Sequence, residues 1–412
     1  VLYSNASVSK AWLQVHKTWL KGYYRKFAKE NPHFAQIMYR AYRGGIFLAN
    51  ILGKVEDVYE YDINSAYPAA LRGLPRIDYL TWRVYPGYVR GLMGFHLVGL
   101  KYDGKLPVPY RTRRRNLYPR SDRGLMTFLT TPEVEYLKRR GMITHVYWSL
   151  VGDGPRTAAF PEVGEMYHRR LEEKRLYKAT KDKRHDIAQW GIKIVMNALY
   201  GVLAQAKPHV GAFTHYAYAA YITALTRIRI WWLVDRVGPD NVVGVATDAL
   251  ITTRPVKSSN IDVDSLGGWK TEFAHRVVYS YQNGLRITVD PAKPLEKELR
   301  KRGFPTLTPE TLETAQGTEM KVVRRKPRRL FESLIGKEKR VHEISSFVET
   351  EKRIRLLPMY QVADWSEPLR FEVLNTRPVR RIPFTVDEPE YMRAHPPLNG
   401  ESEDDDGDGD ED

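Results

Sequence analysis

Asp62-Ile63-Asn64-Ser65-Ala66-Tyr67-Pro68 sets a carboxylate at the end of a β-type run, Val58-Tyr59-Glu60-Tyr61. Pro68 then falls in the first turn of a short helix that ends near Gly73. Two further segments follow in order. Lys193-Ile194-Val195-Met196-Asn197-Ala198-Leu199-Tyr200-Gly201 lies in the strongest helical stretch of the chain. Ala246-Thr247-Asp248 joins two β runs, 242–245 and 250–252, as a hairpin tip.

Phosphoryl transfer needs divalent metal to neutralise phosphate charge and to align the attacking and leaving oxygens. Magnesium takes oxygen ligands, commonly one or two carboxylates with water and phosphate completing the shell. Asp62 and Asp248 supply carboxylates from two β elements. Adjacent strand ends about 4.8 Å apart suit metal ions about 3.5–4 Å apart. Lys193, Asn197 and Tyr200-Gly201 recur at i, i+4 and i+7/i+8, one face of a helix. Such a face offers an ammonium for a triphosphate, a ring for stacking, and at Gly201 room for a base pair. Taken singly, each Asp reads first as a turn or cap residue, and the helix as an ordinary amphipathic one with an exposed Lys. Together, in this order, they form a kit for two metal ions and a nucleoside triphosphate.

Outward from these segments, residues 9–43 read as helical and basic, with Trp12, Leu13, Trp19 and Leu20 as candidate core positions. Gly44-Gly45 breaks that pattern. Residues 80–150 alternate β-type runs with Gly, Pro and basic turns, including Tyr110-Arg111-Thr112-Arg113-Arg114-Arg115. Residues 162–205 read as two helices, charged in the first half, with Trp190, Ile194, Val195 and Leu199 at helix spacing in the second. Residues 214–237 form another helix. From about 255 the chain becomes a smaller, mixed region, and 317–400 are basic with several prolines.

At 412 residues the chain is long enough for more than one lobe. It contains no Cys, which excludes disulfides and thiolate metal sites. No apolar run approaches the length of a membrane span, and the N-terminus carries no secretory pattern. Net charge is +16, yet residues 401–412 hold nine acids and no base, so the remainder stands at +25. A field of that sign favours a polyanionic partner. Aromatic rings lie among the cations, as in Tyr23-Tyr24-Arg25-Lys26-Phe27 and Tyr39-Arg40-Ala41-Tyr42-Arg43, a mixture that serves either nucleotide stacking or core packing. The acidic tail reads as disordered.

The three segments resemble, in order and spacing, the motifs of family B DNA polymerases. Asp62-x-x-Ser65-x-Tyr67-Pro68 is similar to motif A, Lys193-x-x-x-Asn197-x-x-Tyr200-Gly201 to motif B, and Ala246-Thr247-Asp248 stands in the place of the Asp-Thr-Asp of motif C. Tyr42-Arg43-Gly44-Gly45 resembles the Tyr-x-Gly-Gly segment of the phage and plasmid branch, which includes protein-primed enzymes. The helix around 221–227 is family-like, and the resemblance covers about 38–315.

This resemblance implies an α+β, right-hand polymerase fold with an antiparallel palm sheet, helical fingers and a small thumb. Its divisions would be a helical region and linker (1–50), palm (51–160 and 206–256), fingers (161–205), thumb (257–316), a basic region (317–400) and the acidic tail. It implies that Asp62 and Asp248 are catalytic and ligate two Mg2+ ions, with Mn2+ able to substitute. Ser65, Ala66, Tyr67, Lys193, Asn197 and Tyr200 would bind the nucleotide, Tyr67 rejecting a 2′-hydroxyl, with Lys178 and Lys181 as further phosphate contacts. Tyr42, Arg43, Gly44, Gly45, Gly201 and Thr247 would contact DNA. Partners would be primer-template DNA and deoxynucleoside triphosphates, with a terminal protein or a separate exonuclease admitted, and the setting a bacterial or host cytoplasm.

The chain departs from the family pattern at several points. Ala246 replaces the first Asp of motif C. The 61 residues before Asp62 leave no room for a proofreading exonuclease, and no Asp-x-Glu exonuclease motif is visible. The short interval from Asn197 to Asp248 leaves little room for a strand-displacement insertion. Tyr279-Ser280-Tyr281 lacks the Lys of the thumb motif. Two rivals to a polymerase follow: a non-catalytic polymerase-like DNA-binding protein of a replication complex, and a basic nucleic-acid-binding module of other ancestry.

Overall fold

The computed structural model describes residues 5–51, 53–103, 108–111, 116–117, 120–206, 210–256, 264–282, 284–301, 308–309, 319–327, 345–355 and 372–383. The elements begin with α1 (Asn5–His16), α2 (Tyr23–Glu30), α3 (Pro32–Ala41), β1 (Phe47–Ala49), β2 (Gly53–Ile63) and α4 (Ala66–Arg72). There follow β3 (Thr81–Pro86), β4 (Met93–Asp103), the short strands β5 (Tyr110–Arg111) and β6 (Asn116–Leu117), β7 (Arg120–Thr130), α5 (Thr131–Arg139) and β8 (Ile143–Asp153). Three long helices come next: α6 (Glu162–Thr180), α7 (Lys183–Leu203) and α8 (Tyr216–Val237). The chain then forms β9 (Val242–Ala246), β10 (Ala249–Thr252), β11 (Trp269–Gln282), β12 (Leu285–Asp290) and β13 (Lys293–Lys301). The last described strands are β14 (Glu319–Pro327), β15 (Ser345–Arg355) and β16 (Glu372–Pro383).

Helices and antiparallel sheets are mixed throughout, and the described residues fall into two compact units. The first comprises those of 1–50 and 57–274. At its centre is an antiparallel sheet in the order β1-β9-β10-β2, with the first residues of β11 beyond β2. Helix α8 is buried on nearly all sides, from Tyr216 to Val234, because its Ala, Tyr and Ile residues leave almost no polar stripe. A second sheet, β3-β8-β4-β7, is also antiparallel. The α6–α7 pair is joined by Lys181-Asp182, where Lys181 takes a left-handed backbone (φ 58°) and Asp182 caps α7 by accepting from the Arg184 N–H.

Helix α1 packs on α7. Ser9, Leu13 and Lys17, spaced one turn apart, are all buried. The Ser9 hydroxyl donates to the Val195 carbonyl at 2.9 Å, and the Lys17 ammonium reaches Glu162 at the start of α6 at 2.7 Å. Leu20 is fully buried as expected, with Trp12 and Trp19 packed against the same core.

Two expectations need correction. The 80–150 region is not purely strand and turn: α5 interrupts it. Its start carries a capping box, in which the Thr130 backbone N–H donates to Glu133, beside Pro132 in the first turn. On α7 the buried face is Gln189, Met196, Leu199, Val202 and Leu203, while Trp190 is half exposed.

The second unit, the described residues of 51–56, 275–362 and 368–412, contains the later part of β11 with β12 and β13 as an antiparallel meander, and a separate β14-β15-β16 sheet. β12 is buried along Leu285–Val289, whereas β13 is a largely exposed edge rich in Lys, Glu and Arg. The 401–412 tail and residues 112–115 lie outside the described residues.

Candidate active site

Strand β10 pairs with both β9 and β2, and Ala249 faces Ala246 on one side and Asp62 on the other. The two-residue turn Thr247-Asp248 therefore opens beside the C-terminal end of β2. The Asp248 carbonyl accepts from the Ile63 N–H at 3.0 Å, and the Ile46 carbonyl accepts from the Thr247 N–H at 2.7 Å. Thr247 holds φ at +62°, a strained choice for a β-branched residue, and Ser65 holds +50°. The two expected carboxylates thus sit on adjacent strand ends.

Burial pushes the Asp62 carboxyl up to about 6; Lys270 opposes that shift, and Glu272 and Glu60 add to it. Asp248 is pushed up to about 7, first by burial and then by the charge on Asp62. Burial is the leading cause in both cases, and Lys270 Nζ, 3.1 Å from Asp62 Oδ2 and also paired with Glu272, offsets part of it. Desolvated carboxylates that repel one another favour a bound cation. An all-oxygen donor set suits magnesium or manganese. Among the described residues no three His, Asp or Glu side chains converge as a ligand cluster.

Facing these acids is a group of cations. Lys193 is lowered by burial and by Arg170 and Lys270, and partly restored by Asp62 and Glu272, so it shares their field. Its ammonium lies 4.5 Å from the Trp190 ring centre. Arg170 is buried, reaches Ser65 Oγ at 3.4 Å through Nη1, and leaves Nε without a partner. Lys174 is lowered by partial burial and by Arg170, Lys178 and Lys270. Like charges that depress one another create a place for a polyanion.

Arg170, Lys174 and Lys178 recur every fourth residue along one face of α6. That spacing was readable in the sequence, which nevertheless pointed to Lys178 and Lys181. Lys181 lies exposed beyond the end of α6. Arg170, Lys174, Lys270 and Glu272 are site residues that motif reading missed. Lys270 and Glu272 could be placed only by knowing that β11 lies beside β2.

The expected motifs also meet through aromatic rings. Tyr42 and Tyr200 share a hydroxyl–hydroxyl hydrogen bond of 2.7 Å, and the rings of Tyr67 and Tyr200 lie 4.3 Å apart at 45°. A Cβ on Gly45 would stand 2.9 Å from Tyr67 Oη and 3.0 Å from Thr247 Cγ2. Gly44 is different, with φ at +67° and a carbonyl that accepts from Arg227. Arg227 in turn pairs with Glu133 at 2.6 Å, both fully buried.

Arg43 turns inward, donating to Pro109 O, Ala41 O and Thr127 Oγ1. Asn197 is exposed, Ala66 is buried at the start of α4, and open space surrounds the Cα of Gly201.

A family model for DNA polymerase type B, organellar and viral, matches residues 5–209, about half of the chain. A DNA polymerase of Acidianus bottle-shaped virus (isolate Italy/Pozzuoli) is 28% identical over 280 residues, 64% of this chain and 40% of that protein. Among solved structures, Phi29 DNA polymerase complexed with primer-template DNA and incoming nucleotides superposes with a TM-score of 0.52. It is 17% identical, covering 79% of this chain and 64% of that one. Phi29 DNA polymerase complexed with single-stranded DNA gives 0.50, at 16% identity, over 72% and 59%. These likenesses concern the fold, and the chain spans less than two thirds of the relatives it matches. The motif order, the paired carboxylates and these matches agree: the chain belongs to the organellar and viral type B DNA polymerases.

Proposed function

We propose that the chain carries out template-directed DNA synthesis. The primer 3′-hydroxyl oxygen bonds to the α-phosphorus of a deoxynucleoside triphosphate, the bond to pyrophosphate breaks, and the hydroxyl proton passes to water. The observation that supports this most is the pairing of Asp62 and Asp248 on adjacent strand ends, with Lys193 in the field of Asp62. Asp62 and Asp248 would hold a divalent ion, which would supply positive charge to the phosphate oxygens. Arg170, Lys174, Lys178 and Lys193 orient the triphosphate. Tyr67 and Tyr200 bound the sugar and base, Asn197 and Gly201 edge the pocket, and Tyr42, the backbone of Arg43, Gly44 and Gly45, and Thr247 carry the template-side surface.

On this reading 51–160 and 206–256 are palm, 161–205 fingers and 257–316 thumb. The described residues synthesise rather than proofread, working on primer-template DNA in a cytoplasm with Mg2+ or Mn2+. A second reading, a polymerase-like DNA-binding protein without catalysis, draws support from Ala246 in motif C and from the Lys270 contact to Asp62.

Primer extension with Mg2+ or Mn2+ tests both readings. Asp62→Asn or Asp248→Asn is expected to abolish extension while DNA binding persists. Extension at the wild-type rate by either variant overturns the assignment, and no extension by the parent chain selects the second reading.

A further inference from the structure

Lys270 is a cation at the carboxylate pair that the motifs quoted above do not include. It stands on β11, next to β2 in the sheet, with its ammonium 3.1 Å from Asp62 Oδ2 and paired also with Glu272. Its side chain is about one-third exposed. Asp62 thus already has a cation on one oxygen. The hairpin position across β10 from Asp62, where the motif pattern places a further carboxylate, is Ala246. The site is one carboxylate short and one ammonium long. Glu60, buried two residues before Asp62, adds negative field but already interacts within the protein.

Magnesium and manganese take carboxylate oxygens as ligands, and an ammonium on one of those oxygens competes for it. A point charge on a flexible four-carbon stem is a competitor that can swing aside. On the polymerase reading above, we propose that Lys270 is a resident counter-cation of Asp62. A divalent ion must displace it, so the free polypeptide binds metal weakly and the triphosphate, bringing phosphate oxygens, completes the site. The ammonium is then free to turn toward phosphate.

Direct Mn2+ binding, read by the loss of the free-ion electron paramagnetic resonance signal without DNA or nucleotide, tests this independently of turnover. Lys270→Met keeps the stem and removes the charge; Lys270→Arg keeps the charge. Lys270→Met is expected to tighten Mn2+ binding about tenfold or more, since a unit charge at contact distance is removed. Lys270→Arg should match the wild type, and in an Asp62→Asn background Lys270→Met should change nothing.

Equal Mn2+ affinity for wild type and Lys270→Met overturns the role given to Lys270. The metal-dependent reading survives that result if Asp62→Asn and Asp248→Asn still weaken binding. If neither wild type nor Lys270→Met binds Mn2+, both fall. Thermal melts of each variant establish that the comparison is between folded proteins, and partial exposure of Lys270 makes that outcome expected.

Discussion

Adding one methyl group at Gly45 tests whether the template-side turn sets the geometry of both carboxylate motifs. The new Cβ would stand 2.9 Å from Tyr67 Oη and 3.0 Å from Thr247 Cγ2, where ordinary contact begins near 3.4 Å. Tyr67 and Thr247 must therefore retreat, or the turn must, by roughly half an ångström. Overpacking of this kind costs about 1–3 kcal/mol, and a displacement approaching 1 Å at a reacting centre can cost about a hundredfold in rate.

Tyr67 cannot yield freely, because its ring rests on Tyr200, itself hydrogen-bonded to Tyr42. Thr247 cannot either, because its N–H is held by Ile46 and its neighbour is Asp248. Gly45→Ala is expected to lower the rate of single-nucleotide extension about 10- to 100-fold, with DNA affinity retained. Gly44→Ala is the control. Its Cβ meets only Tyr42 Oη at 4.0 Å, but its φ of +67° imposes about 1–2 kcal/mol of backbone strain. It should lower the melting temperature more than it lowers the rate. Steady-state extension beside thermal melts separates the two. A folded Gly45→Ala protein with wild-type rate would refute the reasoning.

Two other outcomes follow from the same site and its surroundings. Tyr67→Val should raise ribonucleotide incorporation relative to deoxynucleotide in competition assays, and an unchanged ratio with activity retained removes the sugar-gate role. His215 is fully buried among Tyr23, Tyr24 and Tyr218 with neither ring nitrogen partnered, and burial pushes it down to about 3. The unfolded chain therefore binds this proton first, and stability is lost as pH falls from about 6.5 towards 3, by up to about 5 kcal/mol. His215→Phe should leave stability at neutral pH intact and move acid unfolding to lower pH; coincident acid-unfolding curves would contradict this.

Much of the site was legible because its chemistry is local in sequence. A carboxylate at a strand end, a helix face with Lys193 and Tyr200, and a hairpin tip are each short-range patterns. The residues missed are those whose meaning depends on tertiary neighbours. Lys270 becomes part of the site only when β11 lies next to β2.

Arg43 was expected on DNA through the likeness of Tyr42-Arg43-Gly44-Gly45 to the Tyr-x-Gly-Gly segment, yet its guanidinium donates inside the protein, to Pro109 O, Ala41 O and Thr127 Oγ1. Trp190 falls at helix spacing with Ile194, Val195 and Leu199, but its ring is half exposed beside the Lys193 ammonium. Helix α5 escaped because β-type runs flank it on both sides. Its signal, Thr130-Thr131-Pro132-Glu133, is a helix start that a reading for strands passes over.

The grip of α1 on α7 has a practical consequence for spectroscopy. Gln14 lies on the solvent side of α1, away from the stripe of Ser9, Leu13 and Lys17. The chain has no cysteine, so Gln14→Cys would accept a thiol-reactive fluorophore at a single position. Because Ser9 is tied to the α7 backbone at Val195, the dye would ride with the helix that carries Lys193, Asn197 and Tyr200 without touching any of them. Rearrangements of that helix could then be followed in real time from its far side.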